Sequence, residues 1–342
     1  MSLEAAEHGA GRTTIHDVAR AAGVSVATVS KAINGRYGVA PATFTKVMNV
    51  VSELGYESSL IASSLRRSQT HVIGILVADF EPFSTELLKG AAAAAHGTGY
   101  ELLAYTGPLG DGRQEGWERR SLSRLAGTLI DGAIIVTPTV LIPQSSIPVV
   151  AIDPHAGRDD ATTVDSDNIA AAREATDHLL ALGHRRIAHI RGRSDLESAR
   201  LRELGYRDAL TNAGIAVDAS LVLDGDYRYE AAADAARALL RRDDRPTAVF
   251  AANDLSAIAV LDVARELGIG VPEELSVIGF DDIPEAARSL PPLTTMAQPL
   301  QDMGALALRQ LLELLEGRPS ELHTRLHAQL TVRESTAPAP AA

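Results

Sequence analysis

Residues 14–31 read Thr14-Ile15-His16-Asp17-Val18-Ala19-Arg20-Ala21-Ala22-Gly23-Val24-Ser25-Val26-Ala27-Thr28-Val29-Ser30-Lys31. Thr14 with Asp17 three residues on is a helix start: a capping hydroxyl, then an acid at the positive end of the helix dipole. Ile15, Val18, Ala19 and Ala22 share one helical face, and Gly23 breaks the helix after about two turns. Ser25 is a second N-cap, and Val26, Val29 and Ile33 continue a second helix until Asn34-Gly35 stops it. Two short helices joined at a glycine-containing turn spell a helix-turn-helix. A third helix is predicted from near Pro41 to Leu54, with Phe44, Val47, Val50, Val51 and Leu54 inward and Gly55 at its end. The second helix of such a unit enters the major groove, so Val26 and Ala27 meet base edges and Lys31, one turn on, reaches guanine O6/N7. Ser25, Thr28 and Ser30 suit phosphates, which position without specifying. Thr14 and Asn34 are also candidate DNA-binding residues. The competing reading is a small helical bundle with no role at DNA.

The surrounding charge supports an anion-binding head. The chain of 342 residues carries −12 overall. Residues 12–67 hold seven bases against three acids, a local +4, which leaves −16 for everything else. A basic head on an acidic body is the asymmetry expected of an anion-binding module joined to something else. Hydrophobic content of 46% and mean hydropathy of +0.03 describe a chain with a real core. No stretch approaches the roughly 20 uncharged apolar residues of a membrane span. The start, Met1-Ser2-Leu3-Glu4-Ala5-Ala6-Glu7, has acids where a signal peptide needs bases. The absence of cysteine excludes disulfides, thiolate metal sites and a cysteine nucleophile, and suits a cytoplasmic chain.

Outward from the head, Ser58–Ser68 could be a helix capped by Ser58 or Ser59 and carrying Leu60, Ile61, Ala62 and Leu65 before Arg66-Arg67. Isolated helices under about 12–15 residues are marginal in water, so this is a linker or a helix that forms only when something binds it. From His71 the rhythm changes. Strands are predicted at Val72–Val77, Tyr100–Tyr105, Ala133–Val136, Pro148–Ile152, Arg186–Ile190, Ala248–Ala252 and Ser276–Phe280. Helices are predicted at Ser84–His96, Arg113–Ala126, Asn168–Leu182, Glu197–Ala213, Tyr229–Arg241 and Asp254–Leu267. The strands are continuous apolar runs, as in parallel sheets covered on both faces by helices. So many βα units exceed one doubly wound sheet; two lobes are expected, with ligands at the carboxyl ends of strands. Residues 1–11 and the Pro- and Ala-rich Ser335–Ala342 read as tails.

Across residues 13–336 the chain closely resembles the lactose-repressor (LacI/GalR) family. The likeness rests on the Thr14–Lys31 stretch, Ile33-Asn34, Glu53-Leu54-Gly55-Tyr56, Leu65-Arg66-Arg67, Pro82-Phe83, Asp131-Gly132-Ala133-Ile134-Ile135 and Leu182-Gly183-His184-Arg185-Arg186-Ile187. It continues through Gly205-Tyr206-Arg207, Pro246-Thr247-Ala248-Val249-Phe250-Ala251-Ala252-Asn253-Asp254, Val277-Ile278-Gly279-Phe280-Asp281-Asp282, Pro291-Pro292-Leu293-Thr294-Thr295 and Arg333-Glu334-Ser335-Thr336. All of them in order make a specific match.

The resemblance implies an all-α helix-turn-helix head on an α/β, two-lobed, periplasmic-binding-protein-like core with parallel doubly wound sheets. It implies a head at 12–57, a hinge helix at 58–68 and a core at 69–336, with tails at 1–11 and 337–342. The N-lobe would take about 69–164 and 296–325, the C-lobe about 165–295 and 326–336. Val26, Ala27 and Lys31 match base-reading positions, and Leu65 matches an apolar wedge for the minor groove, which kinks the duplex at about a few kcal/mol per unstacked step. The chain departs at Ser58-Ser59, where the family usually has Pro-Asn, and Lys31 lacks the planar fork of an arginine. In the core, Phe83, Ser84, Asp153, Arg202, Tyr227, Asn253 and Asp281 match effector-cleft positions. Their chemistry suits a neutral polyhydroxylated ligand: the acids and Asn253 accept hydroxyl protons, Arg202 donates, and Tyr227 or Phe83 covers a sugar's apolar face. Leu196 stands where the purine-binding branch places an arginine. The blander reading makes Asn253-Asp254 and Asp281-Asp282 mere caps of loops and helix starts.

The function so implied is a homodimeric repressor of carbohydrate-utilisation genes, released from a pseudo-palindromic operator by a sugar-like effector, with no cofactor, metal or membrane partner. The alternatives are a corepressor-dependent regulator with a non-sugar effector, and a solute-binding protein of the same core fold. Other signals are weaker. Gly107-Pro108-Leu109-Gly110-Asp111-Gly112 lacks the ending of a phosphate loop. His323 and His327 have metal-like spacing but no acid completes a site. His184-Arg185-Arg186 after Gly183 suits a helix C-terminus. With no G-x-S-x-G and no His-Glu-x-x-His, no hydrolase constellation is visible, and no enzyme is expected.

Overall fold

Asp17 closes the first turn of the protein's first helix: its Oδ2 accepts from the Thr14 backbone N–H at 3.0 Å and from the Thr14 hydroxyl at 2.6 Å. The structure, a computed structural model, describes residues 13–33, 38–54, 69–107, 116–140, 145–154 and 162–340. The expected hinge with its wedge Leu65, the Asn34-Gly35 stop and most of the Gly107–Gly112 loop lie outside these residues. The chain divides into two units, at Met1–Thr70 and His71–Ala342.

In the first unit, α1 (Ile15–Ala22), α2 (Val26–Ile33) and α3 (Pro41–Glu53) enclose Val18, Ala22, Val29, Ala32 and Val47. Gly23 takes the left-handed conformation (φ 64°) that ends α1, and the Val24 N–H returns to the Ala19 carbonyl at 3.1 Å. Two expected core residues are elsewhere: Phe44 is 43% and Leu54 39% exposed. So small a bundle has room for one stripe of α3, and Val47, Val50 and Val51 fill it.

The second unit holds two six-stranded sheets. The first lobe comprises β1 (Val72–Val77), α4 (Pro82–Ala95), β2 (Glu101–Thr106), α5 (Trp117–Leu125), β3 (Gly132–Val136), β4 (Val149–Ile152) and β5 (Thr162–Ser166). The second comprises α6 (Asn168–Ala181), β6 (Ile187–Arg191), α7 (Glu197–Asn212), β7 (Val222–Asp224), α8 (Tyr229–Leu240), β8 (Ala248–Ala251), α9 (Asp254–Glu266), β9 (Ser276–Asp281) and β10 (Thr294–Ala297). The chain then returns through α10 (Leu300–Leu315) and β11 (His323–Leu326) to the first lobe and ends with β12 (Gln329–Thr331) in the second. The first sheet, ordered β11-β5-β4-β3-β1-β2, is wholly parallel; the second, β12-β10-β9-β8-β6-β7, is parallel except where β12 meets β10. This is the doubly wound, two-lobed architecture expected, with strand order reversing beside β1 and beside β6.

The central strands are apolar on both faces, and helices cover both. The five strands not foreseen, β5, β7, β10, β11 and β12, are short and carry polar residues in place of an unbroken apolar run. Lobe limits follow the strands: the first sheet keeps the chain to Ser166, and the second keeps it to Ala297. The chain therefore crosses between lobes three times, near Asp167, near Gln298 and between Leu326 and Gln329.

The carboxyl-terminal segment corrects the expectation of a tail from Ser335. Ser335 is fully buried; its carbonyl accepts from Val277 N–H at 2.8 Å and its Oγ accepts from Thr294 N–H at 2.8 Å. Ala337 N–H donates to Ser276 Oγ at 3.0 Å, and Ala339 N–H to the Leu182 carbonyl at 2.8 Å. His184, expected as a positive group at a helix end, is buried beneath this strap. Its Nε2 faces the Ala337 carbonyl at 3.0 Å and its Nδ1 the Thr247 hydroxyl at 2.9 Å, and burial lowers its pKa.

Helix α10 packs on α4 through two glycines. A Cβ on Gly90 would lie 1.8 Å from the Gln301 carbonyl oxygen, and one on Gly304 would lie 2.0 Å from the Leu87 carbonyl oxygen. Backbone cannot yield as a side chain does, so the helices would have to separate. Gly90→Ala and Gly304→Ala are each expected to destabilise the protein by about 1–3 kcal/mol. The measurement is the urea unfolding midpoint; wild-type midpoints would contradict the close packing.

Candidate functional site

Two surfaces carry the residues singled out by sequence, one in each unit. In the first, Ser25 Oγ accepts from Thr28 N–H at 3.1 Å and lies 2.9 Å from the Thr28 hydroxyl, so it caps α2. Ala27 and Lys31, four residues apart, are exposed on one face of that helix. Val26 is half-buried against the head core and Ser30 is half-buried, so Ala27 and Lys31 are the freer of the base-facing residues. Thr14 is exposed, but its hydroxyl is held by Asp17, and those hydrogen bonds keep the Asp17 carboxyl below the usual range. Asn34 and Leu65 lie outside the described residues.

In the second unit the organising group is Arg202, 3% exposed in the middle of α7. A buried guanidinium needs partners for its charge and its five N–H groups. Nε donates to Asn168 Oδ1 at 2.8 Å; Nη1 donates to the Ala252 carbonyl at 2.6 Å and to Asp281 Oδ1 at 3.3 Å. The guanidinium carbon sits 3.7 Å from the centre of the Phe280 ring and 5.6 Å from that of Tyr227. Asp281 Oδ1 also accepts from Gln298 Nε2 at 2.7 Å, and Gln298 Oε1 accepts from the Ser166 hydroxyl at 2.5 Å. Asn168 Nδ2 donates to the Ser166 carbonyl at 3.2 Å, which closes a ring. Ser166 and Asn168 flank the first interlobe crossing, and Gln298 lies on the second.

Three of the seven expected cleft residues have positive φ: Asp153 at 47°, Tyr227 at 59° and Asp281 at 113°. Each stands at or just beyond the carboxyl end of a strand. Such conformations in non-glycine residues cost of order 1–3 kcal/mol and persist only where surroundings over-determine them, typically at functional sites. Tyr227 lies flat on Gly192, where a Cβ would come 2.2 Å from its ring. Its hydroxyl is 3.2 Å from Ser198 Oγ, and its carbonyl accepts from Asn253 Nδ2 at 3.3 Å. Asn253 Oδ1 caps α9 by accepting from Ser256 N–H at 3.1 Å, so the blander reading holds for that oxygen. The following Asp254 is fully buried and accepts from Ile283 N–H at 2.9 Å and the Thr295 hydroxyl at 2.6 Å.

Asp153, from the first lobe, is 8% exposed. Its Oδ1 is the one carboxylate oxygen among the buried side-chain atoms without a partner in the described residues. Burial raises its pKa to about 6, against the attraction of Arg202. Burial likewise raises Asp281 to about 6, with Arg202 and Gln298 opposing, and raises Asp254 well above the ordinary carboxylate range. One guanidinium is thus shared among more buried acids than it can neutralise. For Arg202 burial opposes the charge, but Tyr227, Asp281 and Asp153 together outweigh it and raise its pKa.

Asp153, Arg202, Tyr227, Asn253 and Asp281 are therefore brought together from both lobes. Phe83 and Ser84 stand apart from these contacts: Phe83 packs on the first-lobe core, and Ser84 is buried in the first turn of α4. Residues not singled out by sequence are Ser166, Asn168, Gln298 and Glu81. Glu81 precedes α4, and burial with the nearby charges of Asp281 and Asp79 raises its pKa to about 7. A polar residue between a strand end and a helix start was the only sequence signal for any of them.

Among known proteins, residues 14–59 match the lacI family of bacterial regulatory proteins, and residues 176–336 match the periplasmic binding protein-like domain. The HTH-type transcriptional regulator DegA of Bacillus subtilis (strain 168) is 35% identical over 338 residues, covering 96% of this chain and 99% of that protein. The solved complex of the transcriptional regulator CelR with cellobiose is 34% identical, with a TM-score of 0.71, covering 95% of this chain and all of that one (100%). The lac repressor dimer bound to operator and the anti-inducer ONPF is 25% identical, with a TM-score of 0.79, covering 96% of this chain and 100% of that one.

Because burial lifts Asp153 to about 6 from 3.8, the folded state holds its proton between those values, and the stability it contributes declines as pH rises through them. Asp153→Asn removes the charge while keeping the shape. Its stability relative to wild type is expected to rise by about 1–3 kcal/mol between pH 4 and pH 7 and then level off. Urea midpoints across that range test this; a difference independent of pH would show that Asp153 is not held in an uncompensated environment.

Proposed function

The chain belongs to the lacI family of bacterial regulatory proteins, and from that membership we propose a repressor of carbohydrate-utilisation genes that a small sugar-like effector releases from its operator. The observation that carries this reading is the Arg202 ring: residues at two of the three interlobe crossings are hydrogen-bonded to the side chains that would meet the effector. A ligand bound to Asp153, Asp281 and Arg202 therefore touches the joints on which the lobes turn.

Two copies would present two heads to the half-sites of a pseudo-palindromic operator. The dimer is supported by the dimeric lac repressor, to which the chain is similar. Ala27 and Lys31 would read bases beside Val26, with Ser25, Thr28, Ser30, Thr14 and Asn34 toward the backbone and Leu65 as the minor-groove wedge. The CelR–cellobiose complex supports a sugar as ligand, as does the set of acceptors flanking one donor. The protein would act beside the chromosome, in the cytoplasm. Regulation requires the effector to bind the two lobe arrangements unequally; a tenfold preference corresponds to about 1.4 kcal/mol.

Gel-shift assays with genomic fragments are expected to show sequence-selective binding that weakens steeply with salt; binding without sequence preference would reject the regulator reading. Leu65→Ser should weaken operator binding more than nonspecific binding, and equal losses would remove the wedge. Asp281→Ala should abolish the response to the sugar found by thermal-shift screening while sequence-selective operator binding is retained. An unchanged response would take Asp281 out of the site.

A further inference from the structure

Strand β9 ends at Asp281, and there the backbone takes the left-handed region at two non-glycine residues in succession, Asp281 at φ 113° and Asp282 at φ 58°. Each such residue costs free energy that surrounding contacts must offset, so a pair needs holding at more than one point. Asp281 is held at its carbonyl, which accepts from the Gln298 N–H at 3.2 Å, as well as at its carboxylate. On the other side, Ile283 donates its N–H to Asp254 Oδ2 at 2.9 Å, and Asp254 Oδ1 accepts from the Thr295 hydroxyl at 2.6 Å. The middle residue is held from a different part of the chain: Arg333 Nη2 donates to Asp282 Oδ1 at 2.7 Å.

Arg333 lies just beyond β12, after the third interlobe crossing. Its own position is fixed. The Arg333 N–H donates to Thr294 Oγ1 at 3.0 Å, and its Nη1 donates to the Leu293 carbonyl at 2.8 Å. The guanidinium therefore spans from the carbonyl that precedes β10 to the carboxylate that follows β9. A planar fork can face both acceptors at once, as the single ammonium of a lysine cannot. The two side chains are 19% and 25% exposed, so the pair is largely withdrawn from the solvent that makes surface ion pairs weak.

We propose that Arg333 is a positioning residue of the effector site: through Asp282 it holds the turn that aims the Asp281 carboxylate at Arg202 and at the ligand. The assignment rests on the proposed function, which makes Asp281 a ligand contact. Without the ion pair, the turn relaxes out of the left-handed region, and rotation of the backbone at Asp281 carries its carboxylate off Arg202 and Gln298. The ligand then meets a population in which only a fraction of molecules present the binding geometry, and apparent affinity falls by that fraction. An Arg333 that merely anchored the carboxyl-terminal strap would act through Leu293 and Thr294, and Asp282 would not share its effect.

The test uses the full-length protein, calorimetric titration with cellobiose, glucose, galactose and ribose, and residue-resolved hydrogen exchange without ligand. Arg333→Met is expected to weaken the sugar that wild type binds by at least about tenfold while sequence-selective operator binding is retained. Asp282→Asn tolerates left-handed backbone and leaves the Leu293 and Thr294 contacts in place; it should weaken that sugar by at least about threefold. The double variant should bind within about twofold of Arg333→Met alone, because both substitutions break one link. In the ligand-free protein, the Ile283 N–H should exchange at least about tenfold faster in Arg333→Met and faster than wild type in Asp282→Asn. The Val277 N–H, which donates to the Ser335 carbonyl of the strap, should keep its protection. Should Arg333→Met not fold, the two measurements on Asp282→Asn decide. Wild-type sugar affinity in the variants, losses that multiply in the double variant, or unchanged exchange at Ile283 each overturns the proposal while the sugar-responsive reading stands. If wild type binds none of the four sugars at about 10 mM, the sugar reading itself falls and this assignment with it.

Discussion

A guanidinium removed from water must be surrounded by compensating groups, and the core of this protein is arranged around meeting that demand for Arg202. Phe280 supplies a ring face, Ala252 a carbonyl, Asn168 an amide oxygen and Asp281 a charge. Two of these partners tie Arg202, directly or through Gln298, to Ser166 at the end of the first sheet. Removing any one member leaves a buried polar group unpaired, so the ring is costly to break piecemeal. A ligand's donors and acceptors are alternatives to these partners. That is why binding chemistry and lobe geometry are physically the same problem here.

Legibility followed the continuity of apolar residues. Strands buried on both faces, such as Val72–Val77 and Ser276–Asp281, announce themselves as unbroken apolar runs. Thr162–Ser166 and Thr294–Ala297 carry no such run although they are buried, because hydroxyl side chains stand at most of their buried positions. The head was legible through its caps: Asp17, Gly23 and Ser25 each do locally what their spacing implies. Phe44 and Leu54 were misread because helical periodicity says which residues share a face and not how wide a face the bundle can cover. The members of the site with a strong family likeness, Arg202 and Asp281, were visible. Ser166, Asn168 and Gln298 were not, since they are far apart in sequence and acquire meaning only where the crossings meet.

Several residues serve two ends, which blurs the distinction between scaffold and site. Asn253 uses its oxygen to cap α9 and its nitrogen to hold the carbonyl of Tyr227 in a left-handed turn. The strap does the same at larger scale. Arg333 Nη2 pairs with Asp282 Oδ1 at 2.7 Å, and its Nη1 donates to the Leu293 carbonyl at 2.8 Å. Asp282, with φ 58°, adjoins Asp281, so the strained backbone that presents the Asp281 carboxyl is clamped by the segment that follows the third crossing. An apparent tail is part of what orients the site.

The charge distribution connects the two units' chemistry. A chain that is −12 overall, with +4 confined to residues 12–67, repels phosphate over its acidic remainder and attracts it at the head. Within the core the same excess of acid persists down to the scale of single side chains, where Asp153, Asp281 and Glu81 have raised pKa values. A raised pKa means that the ionised carboxyl is short of compensating partners where it sits, so a donor brought to it stabilises the ionised form. Asp153 belongs to the first lobe and Asp281 to the second, so that shortage is shared between the lobes. A molecule that supplies the missing donors necessarily bears on both lobes at once, which is the differential contact that any shift between two lobe arrangements requires.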